Sequence, residues 1–165
     1  MKRTLAAILT VVFLAALVPG VTSCKIIPKD WYQSTLEYYG NGIKNGFTEK
    51  YANLRVPAEL EDKNNKIGYL LTDLDKDGTN ELLIGIINDD APATKFTNVV
   101  VCHTDLGPYC LLSGEIYLCY DGVLCMDSVG SDRDYMRWNQ KDNAFTMIDG
   151  EGKFLPMKWE LTPFT

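Results

Sequence analysis

The run Asp73-Leu74-Asp75-Lys76-Asp77-Gly78-Thr79-Asn80-Glu81 gathers four carboxylates into one short segment. Carboxylates at the first, third and fifth positions of a curling loop converge on a single hard cation, which takes oxygen ligands. Gly78 at the sixth position allows the sharp turn, and the Thr79 carbonyl at the seventh faces inward. Glu81 at the ninth adds an oxygen, directly or through water. Carboxylates this close repel one another unless a cation neutralises them. Asp73, Asp75, Asp77, Thr79 and Glu81 are therefore expected to hold one structural Ca2+. The alternative is a solvated acidic turn without metal.

The flanks say what carries this loop. An EF-hand would put a bidentate Glu at the twelfth position, which is Ile84, and would lie between two helices. Residues 67–72 and 82–87 are instead short, apolar and rich in β-branched or aromatic side chains, so both read as strands. A calcium loop joining two strands is expected. No second copy occurs, which sets aside the paired loops of dockerins.

Other reactive groups are sparse. His103 is the single histidine, and on a strand its neighbour Cys102 points to the opposite face, so a Cys–His dyad is not expected. Nucleophile-elbow, P-loop, zinc-protease and dinucleotide motifs are absent from the sequence. Glu115, Asp127, Asp132 and Asp134 could supply a glycosidase-like carboxylate pair only if folding brings two of them within the required few ångströms. Tyr117, Tyr120, Tyr135, Trp138 and Trp159 would serve either as an aromatic platform for sugars or peptides or as core.

The N-terminus carries an address. Met1-Lys2-Arg3 is a short positive stretch, Leu5 to Val18 is uncharged and apolar, and Pro19-Gly20 breaks it before Val21-Thr22-Ser23-Cys24. The apolar run is shorter than the roughly 20 residues of a spanning helix and suits a secretory signal. The sequence resembles the bacterial lipoprotein signal, the lipobox. That resemblance makes Val21-Thr22-Ser23 the recognition residues and Cys24 the lipidated first residue of the mature chain, anchored in a membrane by several acyl chains. An ordinary signal cleaved at the same place is the other reading. Residues 1–23 are thus expected as the leader, 24–29 as a tether and 30–165 as one domain.

The whole chain has 165 residues, with 16 Lys and Arg against 22 Asp and Glu. The leader holds only Lys2 and Arg3 as charges, which leaves 14 basic against 22 acidic groups and a net of −8 for the mature part. That balance, without a basic cluster, excludes nucleic acid as the expected partner, because phosphate neutralisation needs Lys and Arg. It equally excludes a polybasic membrane-surface helix.

With Cys24 assigned to lipid, Cys102, Cys110, Cys119 and Cys125 remain. A hairpin over residues 99–112, with a loop at 104–108, would set Cys102 opposite Cys110, so a disulfide between them is expected as one possibility and buried thiols as the other. A two-residue turn at Asp121-Gly122 would pair Cys119 with Leu124, sending Cys119 and Cys125 to opposite faces. No metal-type cysteine or histidine spacing suggests zinc.

From Tyr69 to Ile84, a strand runs into Asp-x-Asp-x-Asp-Gly-x-x-Glu and a second apolar strand; further on stands Tyr117-Leu118-Cys119-Tyr120-Asp121-Gly122. Together these stretches resemble exported lipoproteins of gut-type Firmicutes, mostly uncharacterised, which carry an N-terminal helical segment, one Asp-rich loop and C-terminal strands. The strand context is also similar to the calcium loops of FG-GAP and integrin-type propeller blades. The resemblance implies metal ligands at Asp73, Asp75, Asp77, Thr79 and Glu81, and no particular reaction. Asn80 stands where a proline is frequent, which spares the ligands.

The remaining elements follow from local pattern. Asp30 can cap a helix whose face is Trp31, Thr35, Leu36, Tyr39 and Ile43. A second short helix is expected over 48–55, halted near Pro57. Residues 96–102, 116–120, 123–127, 134–138 and 154–161 read as strands, with hairpins at Asp121-Gly122 and Asp149-Gly150. Helix first and strands after give an α+β fold with a mainly antiparallel sheet. The leading functional expectation is a lipid-anchored extracytoplasmic binding or interaction module, facing a cell-envelope glycan, peptide or protein. A small cell-wall or glycan hydrolase is the alternative, as is an inhibitor of a secreted enzyme that plugs its target with residues 88–94.

Overall fold

A computed structural model describes residues 31–102, 107–127, 133–139, 141–150 and 153–165. The leader, Cys24, the tether and the Asp30 cap lie outside the described residues, as do His103, residues 104–106 of the expected hairpin loop, and Asp132.

The chain forms the expected α+β architecture. Helix α1 spans Trp31–Asn45 and buries Thr35 and Tyr39. It ends where Gly46 takes φ +93° and its N–H returns to the Gly42 carbonyl at 2.8 Å, a left-handed stop that glycine adopts without a Cβ clash. Residues 48–55 do not form the expected second helix. Asn53 instead bridges to the sheet: its side-chain amide donates to the Pro108 carbonyl and its own carbonyl accepts the Cys110 N–H, both at 2.6 Å. The short helix α2, Ala58–Glu61, comes after Pro57, whose fixed φ suits a helix entrance as well as an exit.

Among the described residues, eight antiparallel strands follow: β1 Ile67–Thr72, β2 Glu81–Ile86, β3 Lys95–Val101, β4 Tyr109–Leu118, β5 Val123–Asp127, β6 Arg133–Asn139, β7 Ala144–Ile148 and β8 Thr162–Pro163. Their order, β7-β6-β5-β4-β3-β2-β1-β8, is a meander closed on one side by the C-terminus lying beside β1. The central strands are buried on both faces, which is why they read as unbroken apolar runs rather than alternating ones. On one face α1 and α2 cover Ile67, Leu82, Ile84 and Val100 through Tyr39 and Leu60. On the other, Leu83, Phe96, Val99, Ile116, Leu118 and Leu124 pack with Leu161.

Other sequence expectations in the sheet also need correcting. Residues 154–161 form no strand; Pro156 lacks an N–H, and the segment instead crosses the sheet by hydrogen-bonding Thr94 and Leu118. Strand β7 occupies Ala144–Ile148, a mostly apolar segment at the sheet edge that was not among the expected strands. The turn after β4 takes three residues, Tyr120–Gly122, with Asp121 at φ 59° and Gly122 at φ 69°. That single extra residue shifts the register, so Leu118 pairs with Leu124 rather than with Cys125.

Candidate metal centre

Strands β1 and β2 pair in full register from Ile67 opposite Ile86 to Thr72 opposite Glu81. The acidic loop is therefore the connection of a hairpin, with Glu81 in the last rung opposite Thr72 and Asp73 the next residue beyond it. Leu74 pins the loop from inside. Its side chain is 3% exposed within the apolar cluster, a burial worth about 1.5–3 kcal/mol. Its N–H donates to Glu81 Oε2 at 2.9 Å. Glu81 is itself fully buried, at 0% exposure.

The side chains of Asp73, Asp75 and Glu81 each bring a carboxylate oxygen within 4.8 Å of the others. Asp73 also shapes the turn, since Oδ1 accepts the Asp77 N–H at 3.1 Å and Oδ2 the Gly78 N–H at 2.9 Å. Asp77 stands outside the three-carboxylate group. Its Oδ1 accepts the Thr79 N–H at 2.8 Å and the Thr79 hydroxyl. Of the four expected carboxylates, those of Asp73, Asp75 and Glu81 converge, while that of Asp77 accepts from Thr79.

Two neighbours hold the loop, and neither was singled out for this role from the sequence. Tyr32, near the start of α1, donates its hydroxyl to the Asn80 carbonyl. Burial, with the charges of Cys102 and Glu81 nearby, pushes this phenol up to about 12, so it stays a neutral donor. Gly122 lies against Leu74 from the other side: a Cβ there would stand 2.2 Å from the Leu74 carbonyl oxygen. Lys76 reaches Asp121 at 3.3 Å across the same contact. Tyr32 falls outside the expected helix face of Trp31, Thr35, Leu36, Tyr39 and Ile43 and carried no signal, while the Asp121-Gly122 pair was readable as a turn but not as a wall of the loop.

Hard oxygen donors, two half-buried and one buried, suit calcium or a similar cation and not a thiolate-loving metal. No protein-family model, curated protein or solved structure matches this chain. The reading of the site rests on its own chemistry.

The other expected groups are dispersed. Val100 pairs with Cys110 and Val101 with Tyr109, so Cys102 lies two residues past the position opposite Cys110, and no disulfide links the two. Cys110 donates to the Leu112 carbonyl at 3.0 Å. Glu115 is held by Lys95 at 2.8 Å and by the Tyr117 hydroxyl at 2.6 Å, which lowers its carboxyl below the ordinary range. Asp127 pairs with Arg133 at 2.8 Å, and Asp134 is exposed on β6. Of the aromatics, Tyr135 and Trp138 are buried, Tyr117 and Trp159 half-buried, and Tyr120 is exposed. Residues 88–94 are tied to the C-terminal segment by Lys158 on the Asn88 and Ala91 carbonyls and by Thr94 on Trp159. They wall a pocket of about 500 Å³ together with Lys95, Tyr117, Arg133 and Leu155.

Proposed function

We propose that this chain is a lipid-anchored extracytoplasmic interaction module whose acidic loop holds one structural calcium. The observation that carries the reading is the convergence of Asp73, Asp75 and Glu81 at the mouth of the β1–β2 hairpin. The ion would neutralise three crowded carboxylates and fix the loop that α1 and the β4–β5 turn press upon. Outside the cytoplasm, calcium is plentiful enough to fill a weak site of about 10⁻⁴–10⁻³ M. The lipid anchor is carried by the Cys24 sequence context alone.

Catalysis has less support. A glycosidase needs one carboxyl kept protonated beside an ionised one. Glu115 has its carboxyl lowered by Lys95 and the Tyr117 hydroxyl, which opposes the role of protonated acid, and Asp127 is taken up in an ion pair with Arg133. The task that remains is presentation of a stiff sheet surface to a cell-envelope glycan, peptide or protein. Thermal melting of the full chain, in chelator and then in millimolar calcium, tests the ion. A rise in midpoint that magnesium does not reproduce supports the reading, and an unchanged midpoint removes it.

A further inference from the structure

Cys119 and Cys125 meet at the closed end of the β4–β5 hairpin. The Cys119 N–H donates to the Val123 carbonyl at 2.8 Å, and the rungs Leu118–Leu124 and Tyr117–Cys125 follow. Cys119 thus stands opposite Val123, and Cys125, two residues further along β5, shares the face of Val123. The two cysteines are diagonal cross-strand neighbours on one side of the sheet. Both are buried, in a small cluster with Val123 and Tyr135. Their thiols touch, with the Cys125 S–H donating to the Cys119 sulfur. That hydrogen bond, helped by the Arg133 guanidinium, lowers the Cys119 thiol; the same bond and burial push Cys125 up. A single cysteine at either place would serve as a small apolar filler. Two sulfurs in contact, one of them disposed to the thiolate, form the arrangement that thiol–disulfide exchange uses.

We infer that Cys119 and Cys125 are a disulfide-forming pair, with Cys119 the attacking sulfur and Cys125 the resolving one. The Cys119 thiolate attacks one sulfur of a disulfide donor, and the donor's other sulfur leaves as a thiolate. Cys125 then releases its proton to solvent and attacks the Cys119 sulfur, expelling the second donor sulfur. The cysteines lose two electrons and two protons, and the donor disulfide becomes two thiols. An S–S bond of roughly 2.05 Å needs the two Cα atoms within about 7 Å, so the diagonal pair closes by side-chain rotation together with a local adjustment of the adjoining three-residue turn. Because the folded sheet buries both thiols, exchange takes place once β4, β5 and β6 have paired, bringing the two sulfurs and Arg133 together, and before Ile148 and Phe154 pack over them. The oxidising surroundings rest on the extracytoplasmic reading. The pairing itself does not.

The bond would have a consequence for the acidic loop. It closes a ring around Tyr120–Gly122, the turn whose Gly122 abuts the Leu74 carbonyl and whose Asp121 meets Lys76. Oxidation therefore stiffens one wall of the loop.

The test is refolding of the full chain in detergent from denaturant, in a reduced and oxidised glutathione buffer without calcium, with iodoacetamide to trap remaining thiols. Chymotryptic cleavage after Tyr120 separates the two cysteines, so their bond appears by mass spectrometry as two joined peptides that part on reduction. The expected result is that joined pair, and capture of glutathione on Cys119 in the Cys125→Ser chain. Alkylation of both cysteines in the wild-type chain, or their bonding to Cys102 or Cys110 instead, overturns the pairing. Capture by Cys125 in the Cys119→Ser chain, with none by Cys119 in the Cys125→Ser chain, overturns the assigned roles. Since no calcium is present, failure of the metal reading leaves this result unchanged.

Discussion

The main-chain N–H of Leu74 donates to the Glu81 carboxylate at 2.9 Å, tying the second residue of the acidic loop to its ninth. Leu74 is buried by its side chain and Glu81 by the hairpin rung it leaves, so this bond lies inside the protein rather than on its surface. A buried carboxylate beside two others is electrostatically uneasy, and a buried N–H without an acceptor is costly. The same residue therefore answers to two demands, one of charge and one of hydrogen bonding.

Those demands separate under substitution. Glu81→Ala strips the acceptor from Leu74 and is expected to cost about 1–3 kcal/mol whether or not calcium is present. Glu81→Gln keeps an acceptor oxygen while removing the charge. In chelator it is expected to melt at or above the wild-type temperature, and to lose most of the calcium-induced rise. Parallel melting curves for the three chains, with and without calcium, read both effects.

Gly122 and Gly78 have similar backbone needs and different surroundings. Gly122 sits at φ +69° with the Leu74 carbonyl 2.2 Å from where a Cβ would be, whereas Gly78, at φ +93°, has nothing within 4 Å. Gly78→Ala is expected to cost the backbone penalty alone, about 1–2 kcal/mol. Gly122→Ala carries that penalty and also pushes the Leu74 carbonyl away, so its urea midpoint should fall clearly further. Equal midpoints would mean that the turn does not brace the loop.

Tyr32 links helix α1 to the loop through the Asn80 carbonyl. Tyr32→Phe is expected to lose about 0.5–1.5 kcal/mol at neutral pH. In the folded chain the phenol is raised from 10.0 to about 12. Its neutral form is thus favoured by folding, a contribution present below pH 10 and lost as pH climbs through 12. Urea unfolding between pH 8 and 12 should show a shallower alkaline decline in the Phe chain than in the wild type.

At the acid end, Glu115 has its carboxyl lowered from 4.5 by Lys95 and then by the Tyr117 hydroxyl. A depressed folded-state value stabilises above the unfolded value of 4.5 and is lost as pH falls below it. Glu115→Gln is therefore expected to be less stable than wild type near pH 7 and to approach it below pH 4.5. Acid titrations of the melting point check the convergence.

Sequence pattern reached the elements that repeat locally. The strands on either side of the acidic loop and β5 lie where apolar runs between turn signals place them. It fell short where geometry is set by distant partners. Residues 48–55 have helix-compatible types, yet Asn53 is claimed by Pro108 and Cys110. The Asp121-Gly122 pair announces a turn without stating whether it spans two residues or three, and that one residue decides which face Cys119 shares. Within the loop, spacing named the oxygen donors but not which of them converge. Asp77 turns to Thr79, while Glu81 is drawn inward by Leu74.

Calorimetric titration of the full chain with calcium, wild type against Asp75→Asn, tests the metal centre most directly. One ion per chain with a dissociation constant near or below about 10⁻³ M, weakened at least tenfold by the substitution, is the expected result. No heat of binding in the wild-type chain, or identical binding in both, would contradict a calcium cage built from Asp73, Asp75 and Glu81.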